Sequence, residues 1–375
     1  MPATVALDLT ALQAQMPKAP KLPPPGPGER VVRVKDSAGF TQALAELQDG
    51  TTILLADGVY PTPGNWVIKH QRVTVRSESG NRDKVIFDGG NKREAMLSLI
   101  GGSNFTIADL TFFNCELYGF RILGDSGVRD TNIHNVKFHN IWTRGLKGTH
   151  PQRPGDGVDG LYTPEEALKR RPTNGLVRYC LFLCDTIKPW PGYHEPDYIS
   201  GIDMMGLKNW EFSDNLFVGI RGINGGGRGA IFIWVGSEDV RAERNLIVNC
   251  DRGISFGNPS GEGPQVTRGI VRHNRIVGAA ANKCIEMCGT VDSEAAYNTV
   301  YATHFEYAGS LHFFQNTKNA RCHHNAVHGH LNVDAETRSE ENVVGSLEPC
   351  FANPLGGDLR LTPEGHRRLG DAGAR

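Results

Sequence analysis

FSDNLFV (212–218), AERNLIV (242–248), VRHNRIV (271–277), AAYNTVY (295–301) and CHHNAVH (322–328) share one pattern, an asparagine followed two places on by an apolar residue. Working outward, IADLTFF (107–113), IHNVKFH (133–139), VRYCLFL (177–183) and EENVVG (340–345) join the alignment. One column results: Leu110, Val136, Cys180, Asn215, Asn245, Asn274, Asn298, Asn325 and Asn342, with steps of 26, 44, 35, 30, 29, 24, 27 and 17 residues. A period of roughly 24–30 residues, with β-branched strands and glycine punctuation, fits one coil of a parallel β-solenoid, each coil ~4.8 Å above the last. Leucine-rich repeats need an LxxLxL frame that is absent, and propeller blades need roughly 40 residues. An asparagine recurring at one bend can satisfy backbone groups of the neighbouring coil through its amide.

Composition agrees. The 375 residues include 45 glycines, against a usual ~7%, which suits a chain of many turns. Lys plus Arg is 40 and Asp plus Glu is 41, so there is no global basic field for nucleic acid, and no nucleic-acid partner is expected. No apolar run reaches the ~18–20 residues of a membrane span, and no signal core stands at the N-terminus. The eight cysteines follow no zinc pattern. Cys180/Cys184 and Cys284/Cys288 are CxxxC pairs that read as buried apolar thiols in strands.

Along the chain, the Pro/Gly run Pro23–Gly28 marks residues 1–30 as a tail or linker, leaving 31–375 as one solenoid domain. Ser37 before Phe40, Ala43, Leu44 and Leu47 predicts a short amphipathic helix with an N-cap, ended by Gly50. Thr52–Leu55, Val67–Val75 and Lys84–Phe87 are strand-like runs.

This helix before TTILLADGVYP (51–61), the stretch VTVRSESGNRDKVIFDGG (73–90), the asparagine column and the closing GDLRLTPEG (357–365) resemble the right-handed parallel β-helix superfamily of pectate lyases, polygalacturonases and chondroitinase-B-like or alginate lyases. The resemblance covers residues 31–365 and implies an all-β, single-stranded right-handed parallel β-helix with an N-terminal cap helix. It does not carry a catalytic set across. Ile233–Gly236 and Phe256–Asn258 stand where chondroitinase-B-like enzymes hold their acidic pair, lysine and Arg-His-Gly. Ser200, Arg228 and Arg252 stand where polygalacturonases hold aspartates and a histidine.

A second repeating strand lies between the asparagine segments: GFRIL (119–123), GIDMM (201–205), GAIFIW (229–234), GISFG (253–257), CIEMC (284–288) and GSLHFF (309–314). With Phe120, Ile202, Ile231, Ile254, Ile285 and Leu311 inward, alternation turns Arg121, Asp203, Phe232, Ser255, Glu286 and His312 outward. Just before the strands stand Ser200, Arg228, Arg252 and Lys283, and these two columns are the expected groove. The long steps place excess residues at 144–172 and 188–198, expected to wall that groove. The loop GINGGGRG (222–229) could bring backbone amides close to a ligand.

Removing the proton α to a uronate carboxylate requires cations on the carboxylate, a base near the proton and an acid at the leaving oxygen. Arg228, Arg252 and Lys283, one per coil, would grip an acidic polysaccharide; His194 and Tyr198 form the expected acid/base pair. Arg121, Asp203, Glu286, Trp190 and Trp234 are the expected substrate contacts, the tryptophans by stacking on sugar rings. Glu195 and Asp197, with Asp203, are the carboxylates for a possible calcium ion. The expected function is a polysaccharide lyase or C5-epimerase. The alternatives are a polygalacturonase-like hydrolase using Asp203 and Asp251, or a noncatalytic glycan-binding β-helix. A polysaccharide substrate would imply export.

Overall fold

A computed structural model describes residues 7–92, 94–149, 162–189, 195–303 and 309–374. The chain winds as a parallel solenoid with three strands per coil, so each strand pairs with its equivalents in the coils before and after. The first face stacks Ile53, Val75, Ile107, Ile133, Val177, Phe212, Ala242 and Val271 inward, in register. The second face stacks Phe87, Phe112, Phe138, Phe182 and Phe217, then Ile247, Ile276 and Val300. From Phe138 to Phe217 the rings are parallel, with centroids 4.6 Å apart, the spacing of the coils themselves. That stack dictates small residues on the third face: a Cβ at Gly145 or Gly201 would meet Phe182 or Phe217 at 2.9 Å and a carbonyl at 2.7 Å.

The bend between the first and second faces is where the asparagines work. At each coil the residue before them is left-handed, as at Asp214, Arg244, His273, Tyr297 and His324. The side-chain oxygens of Asn245, Asn274 and Asn298 accept from the backbone N–H of Asn215, Asn245 and Asn274 at 3.0–3.1 Å. Their Nδ2 groups reach Phe212, Ala242 and Val271 carbonyls at 2.8–2.9 Å. All are fully buried, so the ladder replaces water for a bend that water cannot reach.

The cap helix spans Ser37–Ala45, but its N-cap is Asp36, whose carboxylate accepts from Gly39 N; Ser37 is the first helical residue. Phe40 closes the core against Trp66 and Phe87. Residues 7–29, read from sequence as tail or linker, are docked rather than loose. Leu12 is fully buried against Leu181, Leu216 and Leu246 on the outside of the second face. Arg275 donates to Gln15, Arg76 donates to the Pro23 carbonyl, and a His134 ring nitrogen pairs with the Pro20 carbonyl. All eight cysteines are free and buried, as the strand reading expects. Among the described residues no helix is long and apolar enough to cross a membrane.

Candidate functional site

The third face presents the outward columns in the order expected. Arg121, Lys147, Asp203, Phe232, Ser255, Glu286 and His312 are partners in successive coils. Lys147 is the surprise. RGLKG falls in the stretch 144–172 that the coil steps mark as loop, yet Arg144–Gly148 is a strand of this face, so the excess begins later and the groove has one more rung. With no β-branched or aromatic residue, that stretch carries too little strand signal to recognise.

The extra rung builds a buried charge cluster. Arg144 and Lys147 hold one Asp203 oxygen at 2.6 and 3.1 Å, and Trp234 Nε1 donates to the other at 3.1 Å. Asp203 is 1% exposed; the two cations and the indole hold it ionised well below the usual carboxylate range against the opposing effect of burial. The Trp234 ring packs on Phe232 and is buried, so it is a wall of the cluster rather than an open stacking platform for sugar. Arg121, half-buried, donates to Ser98.

Tyr198 lies over the Arg144 guanidinium at 3.8 Å. Its turn is held from below by Lys188, 1% exposed, which donates to the Glu195 and Tyr198 carbonyls at 3.3 and 3.1 Å. Burial, helped by Arg144, brings the Lys188 pKa down to about 8. In the sequence Lys188 is marked only by its place at the head of KPWPGYHEPDY (188–198), a stretch rich in aromatic and acidic residues. Trp190 and His194 lie outside the described residues.

Beyond Tyr198, the line continues along the leading edge of the same face. The Arg228 amide donates to Ile199 O, Arg252 pairs in register with Lys283, and all three cations are half-buried. Arg228 and Arg252 border one cleft with Phe232, Ser255 and Glu286. Glu286 is the point on which the charges converge: Arg252 at 3.1 Å, Lys283 at 3.4 Å, and the Ser255 hydroxyl at 3.0 Å. Three cations and one carboxylate leave this part of the groove net positive. Glu286 is thus a strut for the cations rather than a free substrate contact. One rung further, His312 stacks on Phe314; burial lowers its pKa, keeping the imidazole neutral at pH 7.

Two of the remaining carboxylates are engaged by backbone amides. Asp251, fully buried, accepts from the amides of Gly222 and Gly227 at 2.7 and 3.0 Å. Asp197 accepts from Asn224 N at 2.8 Å. The glycine loop therefore spends these amides on its own aspartates, not on a ligand. The acid pair of a hydrolase would need both Asp203 and Asp251 open to a sugar, and both are sealed. For calcium, Glu195 is exposed, Asp197 is turned to the loop and Asp203 is in the salt-bridge cluster. Among the described residues no group of three His, Cys, Asp or Glu is placed to hold a metal.

No family model and no curated protein matches the chain. Among solved structures, the alginate lyase from Paenibacillus sp. str. FPU-7 is similar at a TM-score of 0.55 and 13% identity, covering 84% of this chain and 99% of that one. The GH136 lacto-N-biosidase from Eubacterium ramulus is similar at 0.50 and 10%, covering 84% and 68%. An A-module of a mannuronan C-5 epimerase from Azotobacter vinelandii reaches 0.48 and 11%, covering 83% and 89%. At such identities the likeness is one of fold: the chain is a right-handed parallel β-helix, as the alginate lyase and the lacto-N-biosidase are.

Proposed function

We propose that this protein is an enzyme acting on an acidic, uronate-containing polysaccharide, abstracting the proton α to a uronate carboxylate as a β-elimination lyase or C5-epimerase. One observation carries the reading: Arg144, Tyr198, Arg228, Arg252 and Lys283 follow one another along a single edge of the third face. Coils ~4.8 Å apart space Arg228, Arg252 and Lys283 near the rise of a sugar unit in an extended glycan. A chain lying along the axis would set successive carboxylates against Arg228, Arg252 and Lys283. Tyr198, at the head of this line, would serve the reacting sugar, with His194 as its expected partner. Removing the C5 proton leaves charge that delocalises into the carboxylate, where a guanidinium stabilises it. In elimination the C4–O bond then breaks, a C4=C5 double bond forms and the leaving oxygen is protonated; in epimerisation C5 is reprotonated from the opposite side. The fold shared with an alginate lyase supports the reading at the level of architecture.

The experiment is deuterium exchange. Purified protein is incubated with a panel of polyuronates in D2O, with C5 deuterium read by NMR and unsaturated products by ultraviolet absorbance. At least one polymer should show C5 deuterium, the mark of epimerisation, or an unsaturated product, the mark of elimination, and either signal should be lost in Tyr198→Phe, His194→Ala and Arg252→Ala while their thermal unfolding stays near wild type. A panel with neither signal overturns the enzyme reading; binding with neither would instead mark a glycan-binding module.

A further inference from the structure

The cleft that holds Arg228, Arg252 and Glu286 has a neighbour. Asn258 and Cys288 line both this cleft and a second cavity of about 240 Å³ at the bend from the third face to the first. The second cavity is bordered by the loop 257–265 and by Gln315, Asn316 and Lys318. It draws on three successive coils that also build the cleft, so it sits beside the groove and not further along it. A linear glycan following the axis passes it by; a group hanging from that glycan enters it.

The walls are held before any ligand arrives. Gln265 Nε2 donates to the Glu262 and Gly263 carbonyls at 2.8 and 3.3 Å, and Gln315 Nε2 donates to the Pro259 carbonyl at 2.7 Å. Other polar groups remain open. The Asn258 oxygen is taken by the Ser260 amide at 3.2 Å, while Asn258 Nδ2, the Asn316 amide and the Lys318 ammonium have no partner among the described residues. Such a donor-rich rim suits a ligand dense in oxygen acceptors, as a sugar ring is. The volume falls below the ~300 Å³ at which pockets for drug-sized ligands begin, so it holds one ring.

We infer that this cavity is a subsite for a single-sugar branch on the polysaccharide backbone. The inference rests on the proposed placement of that backbone along the groove. The test is calorimetric titration with a branched oligouronate and with the same oligosaccharide after enzymatic debranching. Wild type should bind the branched form about tenfold more tightly. Asn316→Gly/Lys318→Ala, in which glycine tolerates the φ of +65° at 316, should bind both forms alike at the wild-type debranched affinity. Equal binding of the two by wild type, or a preference surviving in the double variant, would overturn it. If neither oligosaccharide binds, the groove reading has failed instead. Titration of a methyl hexoside by NMR then tests the cavity alone: shifts confined to Asn258 and the backbone of 316–318 support it, and their absence refutes it.

Discussion

Replacing Asn245 by alanine removes four hydrogen bonds made by one side chain. Its oxygen accepts from Asn215 N and Asn215 Nδ2, both at 3.1 Å; its Nδ2 donates to Phe212 O at 2.9 Å and Asn274 Oδ1 at 3.0 Å. Some partners survive the loss: Asn215 Nδ2 keeps Val177 O, and Asn274 Oδ1 keeps Asn245 N. The Asn215 N–H does not, and it lies in a fully buried bend. An orphaned buried donor costs about 1–3 kcal/mol and each ordinary bond about 0.5–1.5, so the total is about 3 kcal/mol after partial compensation. Asn342→Ala, at the half-buried last rung, should cost roughly 1 kcal/mol because water can replace it. Urea unfolding followed by far-ultraviolet circular dichroism reads both, with the m-value checked because solenoids can unfold in parts. A loss under about 1 kcal/mol for Asn245→Ala, or equal losses at both positions, would refute the argument that the ladder satisfies the bends.

Asp203→Asn strands Arg144 and Lys147, 1% and 5% exposed, without their shared carboxylate, and should cost about 3–5 kcal/mol in the same urea assay; a neutral effect would mean the cluster is better solvated than its burial indicates. Because the Asp203 pKa is depressed in the folded state, its contribution is present above pH 3.8 and is lost only as pH falls towards the depressed value. His312 also has a depressed folded pKa, so the unfolded chain takes up its proton first and stability drops as pH falls below 6.5. His312→Gln should therefore lose less stability than wild type between pH 7 and about 5, and an unchanged slope would contradict that environment. Burial raises the Cys115 thiol to about 11 and the Cys180, Cys250 and Cys284 thiols to about 12, so these should resist alkylation until the protein unfolds; rapid native labelling would show the coils open.

Legibility followed periodicity. Inward Ile202, Ile231, Ile254 and Ile285 fix every neighbour by the two-residue alternation of a strand, so the outward positions from Asp203 to Glu286 could be aligned without coordinates. Arg144–Gly148 broke that pattern because glycines and cations carry little strand signal, and with it went the partners that bury Asp203. Hence Asp203 was expected to touch substrate when its oxygens are already used. The docking of residues 7–29 was equally hidden: Leu12 lies in a six-residue helix, Leu9–Ala14, and the leucines that cover it come from coils more than 160 positions away. Sequence shows which residues share a strand face; it does not show which charges neutralise one another.

The most direct measurement is a crystal structure with a tetrauronate bound. The account predicts sugar density running parallel to the solenoid axis over the third face, with carboxylates against Arg228, Arg252 and Lys283 and one ring beside Tyr198. Density on another face, or a glycan crossing the coils with its carboxylates away from those cations, would contradict it.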